Sequence, residues 1–424
     1  GGAAIMAADL ATSPNSTLVA QLCGDAHVVN FGLYASPERR LLFDVNDFDE
    51  TLPGPFEWDV KRLAASIAIV AHGSHFSAQE IQNTTRATVE AYRRAMHDFA
   101  GRSVLDIWYA SIAQEDLRAA ARSVRRQVLA DDAAARGGKK SGRGRHDLNA
   151  KRAAKLADAA ERLVRTNIHR ARMRTNLAAL AELTEVVRGR RRIISTPPVV
   201  LPLSALEKRD ADAANAIRGT VSDRLATYAE SLPADRRSLL SRYEVVDVAR
   251  KVVGVGSVGM LDFIVLLQGR DVDDALFLQV KQAGRSVLAD HLPVVREVPP
   301  GERVVRGQQL MQTASDLFLG WSQLAPGGES FYWRQLRDMK ASPAVELMSP
   351  SSLELHGRLC GRTLAMAHAR SSDPVAIAAY LGARGGFDTA VTAFAIRYTK
   401  QNALDFAAFS EAIADGRIEA RQGI

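Results

Sequence analysis

A glycine string with a strand-like run on each side constrains the fold of this chain more than any other feature. The apolar runs Val245–Val253 and Leu261–Leu267 flank the string, which contains Gly254, Gly256 and Gly259. In a dinucleotide-binding unit the third glycine of such a string opens a helix, whose N-terminus binds the phosphates. Here a strand-like run follows instead. The sequence therefore predicts a strand, a glycine-rich turn and a second strand, which disfavours a dinucleotide-binding unit.

A third strand-like run, Ala275–Val280, follows a polar turn and leads directly into Lys281. A glycine-rich turn, a second strand and a third strand that ends in lysine occur in this order in protein kinases. There the backbone of the turn covers the nucleotide phosphates, and the lysine pairs with the α- and β-phosphates. The corresponding nucleotide-binding positions are Gly254, Gly256, Ser257, Gly259 and Lys281. An exposed lysine at a strand end is the alternative, and the order of the elements favours the phosphate-binding interpretation.

The lysine of a kinase needs an acidic partner, which the next helix supplies. The run Val304–Ser315 predicts this helix, and Glu302 stands just before it. Glu302 is therefore the expected catalytic partner of Lys281, and Glu297 is the next candidate. Three glutamines lie on the helix proper and could replace an acid there: Gln308, Gln309 and Gln312.

A strand-like run, Leu18–Leu22, leads into a loop in which Asn30 follows Asp25 by five positions. Phosphoryl transfer needs a carboxylate to orient or deprotonate the acceptor hydroxyl, and a nearby amide oxygen can hold a metal ion. Asp25 is thus the expected catalytic carboxylate and Asn30 an expected metal ligand. The structural alternative is a set of Asx turns, in which both side chains only cap backbone groups.

Two further runs, Phe31–Ala35 and Leu41–Val45, predict a hairpin whose far end is rich in acidic residues. A carboxylate there could bind a magnesium ion that bridges nucleotide phosphates. Asp44 and Asp47 are both candidate ligands of this ion. A zinc site is not expected, because His27 is the one histidine within these motifs and zinc requires more His or Cys ligands.

The composition favours a helix-rich α+β protein. Hydrophobic residues make up 47% of the chain but aromatic residues only 6%, so alanine and aliphatic residues dominate. Long helices are expected over Ala78–Phe99 and Leu353–Arg370. A length of 424 residues suggests two or three domains or lobes.

Cysteine content, hydropathy and charge limit the location and the partners. Cys23 and Cys360 cannot form a disulfide framework, which favours a reducing, cytoplasmic location. The apolar runs are far shorter than the roughly 20 residues that cross a bilayer, so no membrane span is expected. A net charge of +7 favours anionic partners such as a nucleotide. Nucleic acid is not expected, because the basic stretch Arg118–Arg192 lacks interleaved aromatic residues for base stacking.

Four strings of residues resemble the signatures of an uncharacterised bacterial family of unknown-function domains. They are Gly24–Gly32, Phe43–Glu50, Trp58–Ala64 and Gln335–Lys340. The resemblance covers nearly the whole chain. These motifs resemble, more distantly, those of the aminoglycoside phosphotransferase and maltokinase group, which are kinase-like enzymes.

The wider resemblance implies roles for individual residues. Asp25 would be the catalytic carboxylate, and Asp59 would fix the backbone of the catalytic loop. Asn30 would bind the metal ion together with Asp47 as the principal ligand, and Asp44 is the alternative at a shorter spacing. Kinase-like chains place the glycine string and the lysine first, whereas here they come more than two hundred residues after Asp25. A circular permutation accounts for this order, because chain termini often lie close together. The helix over 353–370 is then expected beside the catalytic loop.

The resemblance implies an α+β, protein-kinase-like fold with two lobes, circularly permuted, in which the large lobe is helical and the small lobe is an antiparallel sheet. Residues 1–130 would form the catalytic-loop and metal-binding part of the large lobe, and residues 131–242 a basic helical insertion with a mobile loop. Residues 243–340 would form the small lobe with the glycine string and the lysine. Residues 341–424 would complete the large lobe.

The expected function is an ATP- and magnesium-dependent phosphotransferase that acts on a small-molecule or protein acceptor. One alternative is a non-catalytic kinase-like protein that binds nucleotide or serves as a scaffold. Another is nucleotidyl transfer by the same site. The acceptor itself has no portable sequence signature, because acceptor pockets are built from variable loops and helices.

Overall fold

A computed structural model describes residues 2–122, 161–162, 164–207, 210–251, 261–293, 297–336 and 339–418. The helices are α1 Gly2–Ala11, α2 Glu57–Gly73, α3 Ala78–Ala100, α4 Val104–Tyr109, α5 Asn176–Leu183, α6 Leu203–Glu207, α7 Ala211–Ser231, α8 Ala234–Leu240, α9 Pro300–Met311, α10 Pro350–Ser371, α11 Pro374–Leu381 and α12 Gly386–Ala414. The strands are β1 Val19–Leu22, β2 Phe31–Ala35, β3 Leu41–Val45, β4 Leu52–Pro55, β5 Thr184–Val187, β6 Arg190–Ile193, β7 Val200–Pro202, β8 Glu244–Lys251, β9 Asp262–Gln268, β10 Ala275–Ala283, β11 Gly320–Gln323 and β12 Ser330–Gln335. The predicted α+β class is confirmed, and the loop expected around 137–145 lies outside the described residues.

The main sheet is antiparallel and has the strand order β11-β12-β10-β9-β8-β7. Its centre is the predicted meander of β8, β9 and β10. Lys281 of β10 lies opposite Asp262 of β9 on one side and opposite Tyr332 of β12 on the other. Residues that are directly opposite in neighbouring strands project from the same face of a sheet. The three side chains therefore share one face.

Successive side chains of a strand point to opposite faces of the sheet. The two faces of this sheet pack against different helices. Leu267 and Trp333 lie on one face with α7, whose Tyr228 ring stacks on Trp333 with ring centroids 4.6 Å apart. Ile264 and Phe277 lie on the other face, where part of α5 covers them. This second face also carries Lys281 at its far end. That end of the sheet meets the segment that follows β3.

The helical part of the protein is built around α3 and α10. A Cβ on Gly361 of α10 would meet the carbonyl oxygen of Thr88 in α3, so glycine allows the two helices to pack closely. The predicted position of α10 beside the loop that begins at Asp25 is confirmed, since His356 Nε2 lies 3.3 Å from Val28 O. None of the helices in the described ranges has the length and apolar character needed to cross a membrane.

The short strands β4 to β7 were not predicted. β5 and β6 form a hairpin within the basic stretch, where helix was expected. β7 adds an edge strand to the main sheet, although it precedes the predicted boundary at 243. Strands of three or four residues are too short to show a period of two. The helix predicted over Val304–Ser315 runs instead from Pro300 to Met311, and Pro300 suits its first turn because the missing N–H has no acceptor there.

Candidate active site

One buried carboxylate holds the backbone of the loop after β1. Asp59, in the first turn of α2, accepts hydrogen bonds from Cys23 N at 2.8 Å and from Gly24 N at 3.1 Å. Gly24 has a φ of 84°, and a Cβ at this position would collide with the carbonyl group of Glu50. The positive φ and the lack of room for a Cβ both require glycine at this position. Asp59 thereby fixes the backbone directly before Asp25, which is the role that the kinase-like resemblance implies for it.

Asp59 also ends a buried chain of hydrogen bonds. His368 Nε2 lies 3.3 Å from Asp59 Oδ2, and Tyr92 Oη lies 2.9 Å from His368 Nδ1. Burial raises the pKa of Tyr92, and the charge of Asp59 raises it further, so the phenol stays protonated. Tyr92, His368 and Asp59 thus form one connected series of buried polar contacts. The chain therefore fixes one orientation of the Asp59 carboxylate.

Asp25 lies at the accessible side of this loop, with its side chain 30% exposed. Arg62 Nε donates to Asp25 Oδ1 at 2.7 Å, and His27 Nε2 lies 3.7 Å from Oδ2. Burial lowers the pKa of His27, although Asp25 acts in the opposite direction, so this imidazole is neutral at pH 7. Arg62 thus holds one carboxylate oxygen and leaves the other next to a neutral ring.

Asn30 precedes β2 and Asp47 follows β3, so both flank the open end of the β2–β3 hairpin. Asn30 Nδ2 donates to Asp25 O at 2.7 Å, so Asn30 Oδ1 is the atom of this amide left for a metal ion. Asn46 N donates to Asn30 O at 2.8 Å, which places Asp47 beside the loop. Burial raises the pKa of Asp47, and the like charge of Asp49 raises it further. A bound cation would relieve both effects.

Asp44 is fully buried. Its Oδ2 accepts from Thr313 N at 2.8 Å, and its Oδ1 accepts from Val45 N at 2.9 Å. Burial raises the pKa of Asp44, while the nearby Arg370 guanidinium opposes this shift. Because backbone donors occupy both oxygens, the geometry favours Asp47 over Asp44 as a metal ligand.

Lys281 of the main sheet contacts the segment that follows β3. Lys281 Nζ lies 3.0 Å from Asp49 Oδ2, and Tyr332 Oη donates to Asp49 Oδ1 at 2.6 Å. Glu302 forms an ion pair with Arg306 instead. The expected pairing of Lys281 with Glu302 is therefore absent from the described structure. Glu302 lies in the first turn of α9, where its neighbour four residues later is a cation.

Two of the cations near Asp47, Lys340 and Arg334, were not predicted from the sequence. Lys340 Nζ lies 3.4 Å from Asn46 O, and Arg334 of β12 belongs to the same charged cluster. Burial and the charge of Arg334 lower the pKa of Lys340 to about 7. Lys340 is the last residue of the string Gln335–Lys340, one of the four that resemble family signatures. This resemblance is the sequence signal that could have identified Lys340.

Asp262 is a further acid near Lys281. Its residue surface is 3% exposed, and neither carboxylate oxygen has a hydrogen-bond partner among the described residues. Burial raises the pKa of Asp262 to about 6, although Lys281 opposes the shift. Unpaired buried carboxylates are rare, and they concentrate at functional sites.

Gly254, Gly256, Ser257 and Gly259 lie outside the described residues. The strands on either side of them, β8 and β9, are antiparallel neighbours. The glycine string therefore joins these two strands, as the sequence predicts. Lys281 lies opposite Asp262, the first residue of β9, and so stands at the same end of the sheet.

Oxygen donors suited to magnesium are present at the loop. Magnesium is usually held by one or two protein carboxylates together with phosphate and water. Asn30 Oδ1 and the Asp47 carboxylate match this donor set. In the part of the chain that the structure describes, no group of three or more His, Cys, Asp or Glu residues is placed to bind a metal ion. The oxygen donors near this loop that match magnesium are thus one amide and one carboxylate.

The fold and the site define an α+β protein in which charged side chains of a sheet meet a loop of the helical part. The chain belongs to the bacterial family described as "Uncharacterized protein conserved in bacteria (DUF2252)", which matches residues 1–146 and 143–412. The resemblance to an uncharacterised bacterial family is thereby confirmed. No curated protein and no solved structure matches the chain.

Proposed function

We propose that this protein is an ATP- and magnesium-dependent phosphotransferase with a kinase-like fold. The proposal rests above all on the 3.0 Å contact between Lys281 Nζ and Asp49 Oδ2, which are 232 positions apart. This contact brings the lysine of the glycine-string sheet close to Asp47, the expected metal ligand. In kinases the corresponding lysine and the metal-binding aspartate must both be in place around the nucleotide phosphates.

The loop after β1 supports the same proposal. The hydrogen bond from Asn30 Nδ2 to Asp25 O orients the amide so that Oδ1 is left for a metal ion. The Asp25 carboxylate would accept the hydrogen bond of the acceptor hydroxyl, and Arg62 would hold that carboxylate in position. ATP with its magnesium ion would supply the phosphoryl group that the hydroxyl receives.

The position of α10 supports a circular permutation of a kinase-like fold. This helix contacts the loop through His356, which lies 3.3 Å from Val28 O, and through His368, which lies 3.3 Å from Asp59 Oδ2. In kinase-like chains a helix of this kind precedes the catalytic loop, whereas α10 comes near the other end of this sequence. Packing depends on position in space, so a permuted chain order is compatible with the same site.

Binding and turnover of ATP test the proposal. We expect the wild-type protein to bind ATP with magnesium, and Lys281→Ala to weaken the binding about tenfold or more because a charged hydrogen bond is lost. Asp25→Asn should retain binding but lower turnover about a hundredfold or more, the usual contribution of a general base. The exposed Lys400→Ala on α12 is the matched control and should behave like wild type. A wild-type protein that binds no ATP with magnesium would contradict the proposal.

The same wild-type and variant proteins distinguish the two alternative functions, nucleotide binding without catalysis and nucleotidyl transfer. The pairing of Glu302 with Arg306 instead of Lys281 favours a nucleotide-binding protein without catalysis, because in kinases the ion pair of that lysine with a helix glutamate must be in place. Such a protein would bind ATP with magnesium and never turn it over. Nucleotidyl transfer would leave the α-phosphate on the acceptor and release the γ-phosphate within pyrophosphate. ATP labelled separately at the α- and γ-phosphates therefore distinguishes the two reactions.

A further inference from the structure

We propose that Asp49, and not an acid on α9, is the positioning residue that holds Lys281 for the nucleotide phosphates. This inference rests on the phosphotransferase function proposed above and adds a residue to its site. In kinases the task belongs to a glutamate on the helix that follows the lysine strand. That helix is α9 here, and its acid Glu302 is paired with Arg306.

Both carboxylate oxygens of Asp49 are bound by side chains of the main sheet. Oδ2 lies 3.0 Å from Lys281 Nζ, and Oδ1 accepts a hydrogen bond from Tyr332 Oη at 2.6 Å. Lys281 and Tyr332 are directly opposite each other in neighbouring strands. The sheet thus presents an ammonium and a phenol side by side to one carboxylate. The two contacts fix the carboxylate, and the carboxylate fixes the ammonium group in turn.

Lys281 needs such a partner because most of it is withdrawn from water. Its side chain is 11% exposed, and an unpaired ammonium at this depth would be strongly disfavoured. Asp262 lies opposite Lys281 in the sheet, but neither of its oxygens has a hydrogen-bond partner within the described ranges. The pairing therefore falls to Asp49, which the loop after β3 brings to the lysine.

α9 contributes to this arrangement through a cation instead of an acid. Arg303 donates to the carbonyl oxygens of Thr51 at 2.6 Å, Asp49 at 2.7 Å and Gly284 at 3.0 Å. Gly284 directly follows β10, the strand that ends near Lys281. Arg303 thereby holds the backbone of Asp49 next to the end of the strand that carries Lys281. The side chain of Glu302 is not part of these contacts.

Asp49→Asn and Glu302→Gln are a matched pair of neutralising substitutions with nearly unchanged volume. In steady-state turnover we expect Asp49→Asn to lower kcat about tenfold or more while the KM for ATP rises less, because a misplaced lysine chiefly affects the transition state. Asp49→Glu should recover part of this loss. Glu302→Gln should stay within about twofold of wild type, since the Glu302 carboxylate pairs with Arg306 and not with Lys281. Impairment by Glu302→Gln with none by Asp49→Asn would overturn the proposal.

Tyr332→Phe tests the contact without leaving Lys281 unpaired, which matters if Asp49→Asn folds poorly. This variant removes the hydrogen bond to Asp49 Oδ1 and keeps the ion pair at Oδ2. We expect a decrease in kcat that is smaller than for Asp49→Asn and again larger than the change in KM. An unchanged kcat in Tyr332→Phe together with an unchanged kcat in Asp49→Asn would contradict the positioning role.

A second measurement examines the pair without nucleotide. The rate at which an N-hydroxysuccinimide ester acylates Lys281, followed by mass spectrometry, increases when the amine loses its acidic partner. We expect Asp49→Asn to accelerate this acylation about tenfold or more and Glu302→Gln to leave it unchanged. Equal rates in Asp49→Asn and wild type would overturn the pairing. If the pattern is as expected but the wild type binds no ATP with magnesium, the proposed function fails while the pairing is upheld.

Discussion

His368 Nε2 lies 3.3 Å from Asp59 Oδ2, although the two residues are 309 positions apart. Asp59 belongs to the first turn of α2, and His368 lies near the end of α10. The same Asp59 carboxylate accepts hydrogen bonds from the backbone of Cys23 and Gly24. The contact therefore links α10 to the loop that carries Asp25, so distant parts of the chain build one site.

Asp59→Ala should lower the free energy of unfolding by about 3–5 kcal/mol, because buried donors would lose a charged acceptor. Urea denaturation followed by circular dichroism measures this change. Asp98→Ala is the matched control, since Asp98 is 47% exposed and pairs with Arg102 on the surface of α3. Its effect should be about 0.5 kcal/mol or less. Similar effects of the two substitutions would contradict the role assigned to Asp59.

Gly361→Ala and Gly219→Ala should change stability in opposite directions. A Cβ on Gly361 would press against Thr88 O and lie 3.1 Å from Tyr92 N, so we expect a loss of about 1–3 kcal/mol. A Cβ on Gly219 in α7 would meet no atom of the described residues within 4 Å, so alanine should stabilise by up to about 1 kcal/mol through helix propensity. Thermal and urea unfolding of both variants measure the two signs. Stabilisation by Gly361→Ala would show that α10 and α3 pack less closely than the structure indicates.

Asp262→Asn should stabilise the protein at pH 8 and have little effect near pH 4. Burial raises the pKa of Asp262 from 3.8 to about 6 in the folded protein. The folded state therefore holds this proton more tightly, so the stabilisation is complete below about pH 4 and is lost as the pH rises through about 6. Asparagine does not titrate. The unfolding free energy of the variant relative to wild type should therefore increase by about 1–3 kcal/mol between pH 4 and pH 8. Denaturation curves at both pH values test this, and a difference that does not change with pH would contradict it.

Asp44→Asn and Asp47→Asn should separate the two carboxylates considered as metal ligands. Asp44→Asn should lower the unfolding free energy by about 1–3 kcal/mol, because an amide cannot accept at both oxygen positions. Asp47→Asn should fold normally and raise the magnesium concentration for half-maximal ATP turnover about tenfold or more. Magnesium titrations and urea denaturation of both variants measure these effects. A normal magnesium requirement in Asp47→Asn and an increased one in Asp44→Asn would assign the metal to Asp44.

The sequence predicted the parts of the fold in which apolar residues repeat over enough positions. The hairpin of Phe31–Ala35 with Leu41–Val45 was predicted with its observed bounds, and the meander of β8 to β10 was predicted within a few residues. Short strands without a clear period were missed. The Arg190–Ile193 strand is mainly arginine, and the Val200–Pro202 strand has three residues. Tertiary pairing, and not local pattern, makes these segments strands.

The sequence by itself determined which residue types stand at motif spacing, so Asp25, Asn30 and Asp47 could be named from one short region. It also placed Lys281 at the end of a predicted strand, because the apolar pattern of a strand can be recognised from neighbouring positions alone. Only the tertiary structure decided that Lys281 pairs with Asp49 and not with Glu302. The physical reason is that partner choice depends on which side chains converge in space. An acid close to the lysine in sequence was already paired on its own helix, whereas one 232 positions away was held beside the lysine by the loop after β3.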